Sequence, residues 1–123
     1  MTWVFVYGTL RTRGAAAGRL ADAVAFRRPA VLAGYALVGR SQPYPFVVPD
    51  PTGAVVGEAL RLIPDRADAV LVELDRYEGD EYRRTCAPVV VGDETVVAQF
   101  WEAADSAVVE GLDRIESGDW FDR

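Results

Sequence analysis

The stretch PDRADAVLVELDRYEG, residues 64–79, has a periodicity that only one secondary structure satisfies. Ala67, Val70, Leu71, Leu74 and Tyr77 recur at intervals of three and four, which lines one face of an α-helix. Pro64 and Asp65 read as its start, with Asp65 as N-cap, and Gly79 as its stop. The flanking segments are of another kind. Trp3 to Tyr7 is aromatic and β-branched, reads as a strand, and stops at Gly8. Ala30 to Val38 reads as a second strand, Phe46-Val47-Val48 as a short one, and Val55 to Ile63 as another. Val89 to Val91 and Thr95 to Trp101 form a hairpin turned by Gly92-Asp93. Between Gly14 and Val24 an alanine-rich run predicts a short helix, weakened by Gly18. Four prolines between Ser41 and Pro51 keep that stretch extended or turned. Strands on both sides of one clear helix predict an α+β domain with a mixed, strongly curved sheet. At 123 residues the expectation is a single domain, 1–123, with no repeat or linker.

Composition narrows the chemistry. Half of the chain is apolar and about a quarter charged, which argues against disorder. The formal charge is −6 with no basic stripe to offset it, so nucleic acid is not an expected partner. There is no His, no Lys and no Asn, and a single Cys. A Ser-His-Asp triad, a Cys-His pair, a His-ligated zinc, a lysine Schiff base and a phosphate-loop lysine are therefore all excluded from these residues. Proton chemistry falls to a carboxylate, a tyrosine or Cys86, and Cys86 reads as a small, inert, buried strand residue. A single Cys makes no intrachain disulfide. No apolar run reaches membrane-spanning length and the first residues carry no cationic leader, so the expected location is the cytoplasm.

Two places stand out. Glu78 follows Leu74 by one helical turn and Leu71 by two, so its carboxylate falls on the inward face, at the negative end of the helix dipole. Both circumstances raise a carboxyl pKa, which suits a general base working near neutrality. The other readings are an ion pair with Arg83 or Arg84, or a frayed helix end that leaves Glu78 in water. The second place is Tyr7-Gly8-Thr9-Leu10, followed by Arg11. A strand ending in this way turns successive amides toward one point, an anion-binding nest to which Thr9 adds a hydroxyl and Arg11 a charge; it also reads as an ordinary strand-then-glycine turn. Arg27-Arg28 reads as a solvated turn, and Arg83-Arg84 as partners of the Glu78–Glu81 acidic cluster. Trp3, Trp101 and Trp120 read as packing residues, with a protein-interaction surface as the rival.

Phe5-Val6-Tyr7-Gly8-Thr9-Leu10 resembles the YGSL/YGTL signature of the γ-glutamylcyclotransferase-like superfamily, which includes γ-glutamylamine cyclotransferases and avirulence-induced-gene-like proteins. Leu74 to Gly79 followed by Tyr82-Arg83-Arg84 resembles its LDxxEG…YxR segment. Tyr44 to Val48, Val56-Gly57-Glu58, Val97 to Trp101 and Ile115 to Trp120 fall in the same order, so the likeness spans nearly the whole chain. It implies a small mixed β-barrel flanked by a few helices, with no metal and no organic cofactor. It also implies Glu78 as catalytic acid/base, and Gly8, Thr9 and Leu10 after Tyr7 as holders of a substrate α-carboxylate, with Tyr82 near the pocket. The implied reaction converts a γ-glutamyl amide to 5-oxoproline with release of the amine. The alternatives are another γ-glutamyl substrate on the same site, and a non-catalytic small-molecule-binding module of the same fold. Neither the leaving amine nor the oligomeric state is encoded in any motif.

Overall fold

The computed structural model describes residues 1–123, and in it β1 (Trp3–Val6) is covered on both faces. Phe5 and, just past the strand, Tyr7 enter a cluster with Leu32, Val47, Val55, Val89 and Phe100. Val4 and Val6 enter a second, with Leu60, Leu62, Val70, Leu74 and Trp101. Successive strand side chains leave on opposite faces, so an uninterrupted apolar strand needs cover on both.

The first cluster fills a closed barrel. β2 (Val24–Val38), β3 (Phe46–Leu62), β4 (Tyr82–Val91) and β5 (Glu94–Ala103) join β1 in the order β1-β3-β2-β4-β5, and β5 closes onto β1. Every pairing is antiparallel except β1 with β5, where Val4 lies parallel beside Gln99. The second cluster lies outside the barrel wall, beneath α1 (Ala67–Glu78). Ala67, Val70 and Leu74 are the buried residues of α1, while Leu71 and Tyr77 pack at its margin. The α+β class, the mixed barrel and the amphipathic helix thus agree with the sequence. No helix is long and apolar enough to cross a membrane.

Several boundaries differ. A 3-10 turn over Pro64–Arg66 precedes α1, whose first turn has no side-chain cap, so Asp65 is not the N-cap. Gly14 to Val24 is not an α-helix; it is a run of turns with one 3-10 turn, Ala17–Leu20. β2 begins at Val24, which puts Arg27-Arg28 in a strand rather than a solvated turn. Phe46–Val48 and the segment from Val55 are parts of one strand that ends at Leu62, one residue short of Ile63, with a bulge between the Ala33–Ala54 and Tyr35–Pro49 pairs. Pro49 is tolerated because β1 pairs only with Trp3's partner Arg61 back to Glu58, leaving that stretch of β3 with a free edge. β4 starts at Tyr82, and Cys86 is exposed on its outer face. The two-residue Gly92-Asp93 connection is as read, with Gly92 at φ 59°.

The segment from Asp113 to Trp120 laces the barrel end. Gly39 N–H donates to Asp113 O, Ile115 N–H to Leu37 O and Val56 N–H to Gly118 O, each at 2.8 Å. These bonds seat Ile115 and Trp120 in the barrel core. Trp101 is buried as well and Trp3 packs against the core, so all three tryptophans serve packing.

Leu74 is the apolar residue of α1 most completely removed from solvent. Leu74→Ala is expected to lower stability by about 3 kcal/mol in urea denaturation, from lost transfer energy and the cavity left behind. A loss below about 1 kcal/mol would show that α1 is not anchored through this residue.

Candidate active site

Past β1 the chain makes a sharp departure. Tyr7 is buried in the barrel and its hydroxyl donates to the Trp101 carbonyl. At Gly8 a Cβ would stand 2.9 Å from the Pro45 ring, so close approach, not an unusual dihedral, is what requires glycine here. Arg11 N–H then folds back to Gly8 O at 3.1 Å, while the amides of Gly8, Thr9 and Leu10 donate to no carbonyl of the protein. Three consecutive free N–H groups on a tight turn make a concentration of positive potential. Leu10 anchors the turn in the second core, and Thr9 Oγ1 sits 3.1 Å from the Tyr77 hydroxyl in a hydrogen bond.

Facing this turn is the end of α1. Glu78 is its last residue, and Gly79 leaves the helix at φ 74° with its N–H on Asp75 O at 3.1 Å. Glu78 borders a cavity of about 300 Å³ together with Tyr7, Gly8, Thr9, Leu10 and Tyr82. Of the residues expected from the sequence, Glu78, Tyr82 and the Tyr7-to-Leu10 turn therefore meet in one place, and Arg11 does not join them. The Glu78 carboxyl forms no ion pair, because Arg83 goes to Glu102 at 2.9 Å and Arg84 to Asp75 at 3.4 Å. Nor does the helix end fray into solvent, since Glu78 is largely buried. With no compensating charge, burial pushes its pKa up to about 7. Arg11 contributes no charge to the cavity. It turns away to Asp119 at 2.6 Å and lies 4.3 Å from the centre of the Phe121 ring.

The chain matches the family described as "Gamma-glutamyl cyclotransferase, AIG2-like" over residues 4–122. It belongs to that family. Among its relatives is the "Gamma-glutamylcyclotransferase family protein ytfP" of Citrobacter rodentium, 34% identical over 122 residues, covering 98% of this chain and 96% of that one. Among solved structures, an AIG2-like protein from Mus musculus superposes with a TM-score of 0.76 at 22% identity, covering 94% of this chain and 86% of that one. YkqA from Bacillus subtilis superposes with a TM-score of 0.73 at 21% identity; it takes in 97% of this chain, which spans 39% of YkqA.

This γ-glutamyl cyclotransferase, AIG2-like domain surrounds Glu78 with tyrosine and threonine hydroxyls and no cation. Tyr82 donates to Pro45 O at 2.7 Å and stacks on Phe46 with 4.6 Å between ring centres. Burial, reinforced by the carboxylate of Glu78, drives the phenols of Tyr7 and Tyr82 well above their ordinary value. Both stay protonated and committed to backbone carbonyls, which leaves Glu78 as the cavity group poised to exchange a proton near neutrality. Sequence reasoning did not assign Tyr44, Pro45, Tyr77, Glu81 and Trp101 to the site, yet all five line the cavity. Tyr44 reaches Glu81 with a 2.9 Å hydrogen bond at the rim, and Trp101 Nε1 donates to Asp75 at 2.9 Å, tying β5 to α1. Tyr77 and Trp101 were legible only as packing residues, Glu81 only as part of an acidic cluster, and Tyr44 and Pro45 only within a segment that carries the family likeness. No group of three or more acidic or Cys side chains is close enough to share a metal ion.

The folded protein keeps a proton on Glu78 up to about pH 7, whereas the unfolded chain releases it near 4.5. The folded state binds more protons in that window, so this group's contribution is intact below about 4.5 and is lost as pH rises through about 7. The loss is on the order of 2–3 kcal/mol, allowing for partial exposure. Glu78→Gln cannot ionise. It should match the parent at about pH 4 and exceed it at about pH 8 in urea denaturation, and an equal difference at both would contradict the assignment.

Proposed function

We propose that this protein cyclises a γ-glutamyl amide, releasing 5-oxoproline and a free amine, with Glu78 as general acid/base. The observation that carries the reading is a desolvated, unpaired carboxyl in the same cavity as three consecutive free amides. In the reaction the substrate's own α-amine attacks its γ-carbonyl carbon. A C–N bond forms within a five-membered ring and the amide C–N bond breaks. The attacking ammonium gives one proton to Glu78, which passes it to the departing amine nitrogen; the ring nitrogen sheds its second proton as the lactam forms, and the released amine takes it up and leaves as an ammonium ion. Ring closure needs no enzyme nucleophile, in keeping with a chain that has no His and no Lys.

No cationic side chain lines the cavity, so the substrate α-carboxylate falls to the amides of Gly8, Thr9 and Leu10. Gripping that end holds the amine within reach of the γ-carbon, and such intramolecular positioning supplies roughly 7–11 kcal/mol of a barrier. Tyr7 and Tyr82 shape the walls and keep water from Glu78. The reading carries with it a cytoplasmic setting and no organic cofactor.

The test is 5-oxoproline release from a panel of γ-glutamyl amides, including γ-glutamyl amino acids and γ-glutamyl-ε-lysine. Glu78→Gln keeps the shape without the proton exchange and is expected to lower kcat/KM by about 10²–10⁴. In the parent, kcat/KM should rise through an apparent pKa of about 7 as Glu78 ionises. That limb should vanish from any residual activity of the variant. Binding of γ-glutamyl ligands without release from any would place the protein among non-catalytic binding modules instead.

A further inference from the structure

Arg27 and Glu58 lie on neighbouring strands, outside the cavity lining, yet their bonds converge on the loop that carries the free amides. They meet at 3.2 Å, with side chains 23% and 16% exposed. Arg27 donates through Nη1 to Leu10 O and through Nη2 to Ala17 O, both at 3.3 Å. Glu58 accepts the Thr12 N–H at Oε1 (2.8 Å) and the Thr12 hydroxyl at Oε2 (2.7 Å). Both ends of the guanidinium and both carboxylate oxygens are therefore spent on one loop. The placement follows from strand register. Glu58 sits opposite Val6, the last residue of β1, and Arg27 opposite Leu60, so the pair stands where the chain leaves the barrel.

One peptide group links the pair to the turn. The Leu10 carbonyl that Arg27 holds and the Arg11 N–H that closes the turn on Gly8 O belong to the same planar unit. Fixing one end of that plane fixes the other, and with it the curvature that keeps the amides of Gly8, Thr9 and Leu10 together. A charge-assisted clamp that holds the loop at Leu10, Thr12 and Ala17 at once is suited to this, because its bonds are directional.

We propose that the Arg27–Glu58 pair is the positioning element of the amide cradle, setting the affinity for a ligand carboxylate without touching the ligand. This rests on the reading of Gly8 to Leu10 as the carboxylate holder. The probes are 5-oxoproline and 2-pyrrolidinone, the same ring without the carboxylate, titrated by NMR into the parent, Arg27→Met, Arg27→Lys, Glu58→Gln and, as a distant ion-pair control, Arg66→Gln. The parent should prefer 5-oxoproline. In Arg27→Met and Glu58→Gln that preference should fall by roughly tenfold, with 2-pyrrolidinone bound as before, and Arg27→Lys should keep part of it. Arg66→Gln should keep all of it. Thr12→Ala, an exposed change that removes one bond of the clamp, should give a partial loss and provides the readout if the barrel variants do not fold. Preference retained in folded Arg27 and Glu58 variants, or in Thr12→Ala where those do not fold, overturns the positioning role while leaving the cradle. No preference in the parent overturns the cradle and the clamp together.

Discussion

Four residues of β1, covered by the barrel interior on one face and by α1 on the other, carry the geometry on which the cavity depends. Phe5 commits the strand to the barrel, while Val4 and Val6 commit it to the helix. With both faces occupied, the strand cannot slip by one residue without placing each side chain in the wrong core. The point at which the chain leaves the wall is fixed as a result, and Gly8 meets Pro45 there at a distance only glycine permits. The same second core that holds β1 orients α1, so that Glu78 arrives opposite the turn. Two apolar contacts of opposite sense therefore set the relation between a carboxyl and a row of amides.

That relation is maintained against an electrostatic cost. A carboxyl without a cation or a hydrogen-bond partner in a half-closed cavity is a destabilising element, and nothing nearby relieves it. The two arginines within sequence reach are diverted to Glu102 and Asp75, and Arg11 is diverted to Asp119. Local instability held in place by a well-packed surround is the usual form of a site whose groups must change protonation state.

How far the sequence could be read depended on the range of each signal. The helix, its inward glutamate and the strand ending at Gly8 rest on spacing within a few residues, and all three stand. The wall contributed by Tyr44, Pro45 and Trp101 comes from far along the chain and has no periodicity of its own. Arg27-Arg28 looked like a solvated turn because two charges and a proline resemble one locally, whereas on the outer wall of a barrel charged strand residues are ordinary. Cys86 misled for the matching reason: strand alternation, not residue type, decides which side faces solvent. The prolines of β3 hid its continuity, because its free edge becomes apparent only once the pairing of β1 is known.

The parallel seam between Val4 and Gln99 joins the first strand to the last. Such a closure has high contact order, so much of the chain's conformational entropy must be surrendered before the seam forms. The cavity straddles that seam, with Tyr7 from one side bonded to the Trp101 carbonyl on the other. No partly folded intermediate that lacks the seam can own a finished cavity. A ligand that fits the pocket is therefore a reporter of complete barrel closure, and its binding energy is added only to the fully closed state.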